Sequence, residues 1–187
     1  LGQCVSSEKG NGLKSEFFNN TEFKGEPVYS GLAKELHYTT GGNTQFAPNV
    51  NLTDFSARFT GEFTSPQSGD IEFTISGNDG FRLFIGEEKV AESWTNEYGS
   101  TKKYTLRAEE GKKYPIKIEY MQAKGSADLN FSIAVRTPVD YQATANEVKD
   151  ADVIIFVGGI SPRLEGEEMP VDAEGFKKGD RLNIEIP

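Results

Sequence analysis

Cysteine, histidine and long apolar runs are nearly missing from this chain, and each shortage removes a class of function. One cysteine, Cys4, among 187 residues excludes an internal disulfide. One histidine, His37, leaves too few soft ligands for a zinc site and no partner set for a histidine-based triad. No apolar stretch approaches the length a membrane-spanning helix needs. Cations are also scarce: 20 Lys and Arg against 29 Asp and Glu give a net charge of −9. Phosphate backbones require clustered cations, so a nucleic-acid partner is not expected. In their place stand 13 Phe, 7 Tyr and 20 Gly. Aromatics favour pleated, half-buried faces, and frequent glycine implies many turns.

The dominant signal from Leu13 to Val135 is period two. Phe55, Ala57, Phe59 and Phe63 share one face of a strand, with Arg58, Thr60 and Glu62 on the other. Ile71, Phe73 and Ile75 follow, then Phe81, Leu83 and Ile85, then Tyr104 and Leu106. Tyr114, Ile116, Ile118 and Tyr120 make another stripe, and Leu129, Phe131, Ile133 and Val135 complete the set. Short alternating strands with turn signals between them predict a mainly β protein, an antiparallel sandwich or barrel over residues 11–138. Residues 1–10 are polar and read as a linker. Beyond Pro138 the pattern changes. A short helical stretch over 141–150 runs into Val153–Val157, an apolar run that predicts a strand buried on both faces. Residues 139–187 are therefore expected to be a short, incomplete α/β segment.

Two segments of the sandwich could carry chemistry. Asn78-Asp79-Gly80 offers an amide and a carboxylate in sequence, which could contribute to a calcium site, since calcium takes oxygen ligands. A plain hairpin turn accounts for the same three residues, because Asp-Gly between alternating runs is a strong turn signal. Trp94 and Tyr98 lie in the polar stretch Glu92-Ser-Trp-Thr-Asn-Glu-Tyr-Gly99. Either ring could stack on the C–H face of a sugar, while burial preference favours Trp94 as a cap on the core. Arg58 and Arg82 are expected to be solvated or paired with acidic neighbours, and His37 to be structural.

Gly12-Leu-Lys-Ser-Glu-Phe-Phe-Asn19, Phe55-Ser-Ala-Arg-Phe-Thr-Gly61 and Ser76-Gly-Asn-Asp-Gly-Phe-Arg-Leu-Phe-Ile-Gly86 together resemble a PA14 domain. This β-sandwich module is found in glycosidases, adhesins and toxins. The resemblance implies that Asn78 and Asp79 occupy the place where some members hold calcium and sugar between two aspartates; here the first is Asn. Ala151-Asp-Val-Ile-Ile-Phe-Val-Gly-Gly159, Leu164-Glu-Gly-Glu-Glu168 and Gly179-Asp-Arg181 in turn resemble the C-terminal α/β domain of family 3 glycoside hydrolases, some of which carry a PA14 insert.

That second resemblance implies that the chain is a piece of a β-glucosidase or β-xylosidase. It implies as partners β-linked oligosaccharides and the rest of the parent enzyme, no obligatory cofactor, and export to the periplasm or the extracellular space. Such enzymes retain anomeric configuration with two carboxyl groups. The nucleophilic aspartate belongs to a barrel domain and is absent from this chain. The acid/base glutamate follows the apolar strand and falls on Glu167, with Glu165 and Glu168 as alternatives, since this chain reads Glu-Gly-Glu-Glu where the family reads Glu-x-Glu-Gly. Neighbouring carboxylates repel, which raises the pKa of at least one, as a general acid requires. By itself the chain is expected to be inactive.

Overall fold

The computed structural model describes residues 4–94, 99–136, 140–153, 155 and two short strands at 176–177 and 180–181. Period-two alternation becomes twelve antiparallel strands in two sheets. In chain order they are β1 (Val5–Ser7), β2 (Gly10–Asn11), β3 (Leu13–Phe18), β4 (Tyr29–Ala33), β5 (Leu36–Thr39) and β6 (Phe55–Thr64). Then come β7 (Gly69–Asn78), β8 (Gly80–Ile85), β9 (Glu88–Trp94), β10 (Ser100–Ala108), β11 (Lys113–Gln122) and β12 (Asp128–Val135). The larger sheet runs β2-β1-β6-β11-β8-β9, with β3 also on β6 and β4 on β3; the smaller runs β10-β7-β12-β5.

The stripes foreseen from sequence face inward. Phe55, Ala57, Phe59, Ile71, Phe73, Ile75, Phe81, Leu83 and Ile118 are fully buried. Across the sandwich the Phe63 and Phe73 rings meet edge to face, 5.4 Å apart at 85°. Within the larger sheet Phe17 meets Phe59 edge to face at 5.7 Å. Such geometry adds to the burial energy because ring edges are positive and ring faces negative.

Within the stretch expected to be linker, residues 4–10 carry strand. Val5 is fully buried, and β1 pairs with β6 through Val5–Phe63 and Ser6–Glu62. One edge of β6 thus carries two strands, with β3 pairing alongside residues 56–60. Gly61 lies at the seam between them, and a Cβ there would sit 2.6 Å from the Ser6 carbonyl oxygen. Polar composition concealed this strand because only Val5 points into the core, too short a signal for periodicity to register.

Contacts divide the chain into residues 1–138 and 139–187. In the second unit, α1 (Tyr141–Val148) starts where expected, and the Asp140 carboxylate accepts from the Ala143 N–H at 2.9 Å, an N-cap. Of the strand expected next over Val153–Val157, only Val153 and Ile155 are described, 76% and 81% exposed, and the rest lies outside the described residues. Further on, β13 (Phe176–Lys177) pairs with β14 (Asp180–Arg181).

Candidate functional site

Asn78-Asp79-Gly80 is not a hairpin. Its flanking strands belong to different sheets, β7 to the smaller and β8 to the larger, so the turn expected from sequence is a crossover. The local Asp-Gly signal is the same for both; only partner choice distinguishes them. The Asn78–Asp79 peptide bond is cis. Two further segments among the described residues pass between the sheets at this end: 40–54 from β5 to β6, and 123–127 from β11 to β12.

Side chains at the crossover hold its neighbour, the 123–127 segment. Asp79 is 5% exposed, and its Oδ2 accepts from the backbone N–H of Ala123 at 2.8 Å and of Lys124 at 3.2 Å. Asn78 donates from Nδ2 to the Ser126 carbonyl at 3.1 Å. From the other side, Thr40 Oγ1 accepts from Ala127 N–H at 2.7 Å, and Thr40 N–H donates to the Ala127 carbonyl at 3.0 Å. Beneath, the Tyr120 hydroxyl reaches both the Asn78 carbonyl and Gln122 Oε1, the latter at 2.7 Å. Burial is the main reason the Tyr120 phenol is pushed far above its ordinary pKa. Gln122, fully buried, donates onward to the Lys124 carbonyl at 2.5 Å. The sequence places Tyr120 in a core stripe and carries no signal that singles out Gln122.

A calcium ion would need more oxygen than this. Asn78 and Asp79 supply one amide and one carboxylate, and one carboxylate oxygen already serves two backbone donors. Among the described residues there is no group of three His, Cys, Asp or Glu placed to share an ion. Among the described residues the side-chain donor set falls short of calcium's six to eight oxygen ligands.

Trp94 caps no core. It lies on the outer face of the larger sheet opposite Gly80, half-buried. The Arg82 guanidinium sits 3.7 Å from its ring centre, and Phe23 stacks at 6.3 Å and 24°. Phe23 in turn contacts Phe18 and the Arg58 guanidinium. A ring covered by a guanidinium has that face closed to a sugar. Both arginines have the acidic partners expected of them: Glu119 lies 3.6 Å from Arg58 and 3.7 Å from Arg82, and Glu92 lies 2.9 Å from Arg82. His37 Nδ1 hydrogen-bonds to Asn130 Oδ1 across β5 and β12, a structural contact. Tyr98, Glu165, Glu167 and Glu168 lie outside the described residues.

A two-sheet antiparallel sandwich whose chain crosses between the sheets at both ends defines the class of module. The PA14 domain family model matches residues 9–152, and the chain belongs to that family. It is similar to a xylan 1,4-beta-xylosidase of Xylanibacter ruminicola, 37% identical over 98% of this chain and 22% of that enzyme. The chain thus spans about a fifth of that relative's length. Among solved structures it resembles a beta-glucosidase from Kluyveromyces marxianus, with a TM-score of 0.61 and 15% identity over 77% of this chain and 19% of that one. It also resembles a PA14 sugar-binding domain from an RTX adhesin, with a TM-score of 0.51 and 19% identity over 66% of this chain and 89% of that one. At these identities the structural likeness concerns the fold.

Proposed function

We propose that this chain is the PA14 module and adjoining segment of a larger, exported retaining β-glycosidase of family 3 type, acting on β-linked xylo- or gluco-oligosaccharides. The observation that carries the reading is the alignment with the xylosidase, which runs through the sandwich and the glutamate-bearing tail alike, over 98% of this chain. In this reading Glu167 is the acid/base, with Glu165 and Glu168 its alternatives, and the nucleophilic aspartate comes from a barrel domain elsewhere in the parent. Retaining chemistry sets the two carboxyl groups about 5–5.5 Å apart. The acid first protonates the departing glycosidic oxygen, then takes a proton from water that releases the glycosyl-enzyme. The module stands beside the pocket and limits which oligosaccharides enter. Deleting residues 11–138 from the parent should change its chain-length preference while leaving aryl-glycoside hydrolysis measurable. Unchanged preference across xylobiose to xylohexaose would refute the gating role.

A second reading has specific support in the likeness to an adhesin's sugar-binding domain: the module binds saccharide on its own account. The closed face of Trp94 and the poor calcium donor set both weigh against it. Calorimetry with xylo- and cello-oligosaccharides on this chain separates the two, since gating predicts no saturable heat.

A further inference from the structure

We infer that the crossover end of the sandwich is locked by the Asp79 carboxylate acting as a hydrogen-bond acceptor, in the role a divalent cation would otherwise fill, and that the module is therefore indifferent to calcium. The segment from Ala123 to Ala127 joins the two sheets and needs its backbone groups satisfied. Side chains from two other crossovers satisfy them. Asp79 takes the N–H of Ala123 and of Lys124, Asn78 gives to the Ser126 carbonyl, and Thr40 engages both polar groups of Ala127. Gln122 closes the Lys124 carbonyl from below. A cation drawing Asp79 Oδ2 toward itself would release two buried-side donors, each costly to leave unpaired.

Both bonds end on the same oxygen, so one carbonyl-type acceptor suffices and the negative charge is not required, whereas calcium ligation draws on that charge. The inference stands whether or not the glycosidase reading holds, because its readouts involve no hydrolysis.

The test uses the full chain with calcium alone as the probe. Wild type should melt within about 1 °C with 10 mM calcium and with chelator. A site of millimolar affinity or better would instead raise the midpoint by about 3 °C or more. Asp79→Asn, which keeps one acceptor oxygen, should melt close to wild type. In Asp79→Ala the Ala123 and Lys124 amides should exchange about tenfold faster or more, with a lower midpoint. A calcium-dependent rise in wild type that Asp79→Asn abolishes would overturn the inference, as would unchanged exchange in Asp79→Ala. If Asp79→Ala does not fold, the calcium response of wild type and the stability of Asp79→Asn still decide it.

Discussion

Phe59 and Gly61 stand two positions apart on β6 and show how differently one residue can matter. Phe59 is fully buried against the rings of Phe17 and Tyr38, so truncation removes transfer energy and leaves a cavity. Phe59→Ala should cost about 3–5 kcal/mol in denaturant unfolding. Gly61 fills no space; its lack of a side chain lets β1 approach. Gly61→Ala would place a methyl 2.6 Å from the Ser6 carbonyl oxygen and 2.9 Å from Leu13. The backbone oxygen has little room to yield, so β1 should detach, seen as loss of exchange protection at the β1–β6 pairs with the rest of β6 retained. The size of Phe59 announces its role in the sequence, whereas the role of Gly61 depends on a strand that composition presents as linker.

At the scale of elements, the outer face of the larger sheet is ordered by register. Glu16, Arg58, Glu119, Arg82 and Glu92 are successive cross-strand partners from β3 through β6, β11 and β8 to β9. Opposite charges facing across strands are favourable, and like charges would not be. Glu119 is the hinge of this row, 12% exposed at its side chain and within 4 Å of two arginines and of Lys117. Glu119→Ala leaves two half-buried guanidiniums facing one another and should cost about 1–2 kcal/mol, above the median for a surface pair because several charges share it. Arg82→Ala combined with it should cost less than Arg82→Ala in the wild type, though not nothing, since Arg82 keeps Glu92 at 2.9 Å and the Trp94 ring. A double-mutant cycle measures that coupling. Alternation along each strand is plain in the sequence, but which charge faces which is fixed only when strands choose partners.

For the whole molecule, acid should unfold the chain before alkali does. Hydrogen bonds from Lys103 and then the charge of Arg136 hold the Glu72 carboxyl below its ordinary 4.5, and Lys89 followed by Arg82 does the same for Glu92. A carboxyl whose folded pKa is depressed contributes stability above its unfolded value and loses it as pH falls through the folded one. The melting midpoint should thus hold level from pH 7 to 5 and decline below about 4.5, the ordinary value of these groups. On the alkaline side, burial foremost pushes the Tyr38 phenol up to about 12, so its protonated form is retained well past the ordinary tyrosine range. Absorbance titration near 295 nm should show Tyr38 ionising only above pH 11 or with unfolding. As a catalyst, this chain alone should release no detectable nitrophenol from aryl β-xylosides or β-glucosides, because the proposed reading puts the nucleophile elsewhere in a parent enzyme; turnover would contradict that proposal.

The sequence by itself determined the inner faces of the sandwich. A period of two is a property of the extended chain, so Phe55, Ala57 and Phe59, or Ile71, Phe73 and Ile75, share a side whatever they pair with. It also carried the module's family, through short strings such as Ser76–Gly86. What it could not determine was partnership. Asp-Gly reads alike in a hairpin and a crossover, so only the assembled sheets made Asp79 a clamp on Ala123 and Lys124. Trp94 is apolar enough for the core, but register with Gly80 put it outside beneath Arg82. Local propensity acts within a few residues, whereas these contacts join positions more than ten apart in the chain, and tertiary packing alone decides them.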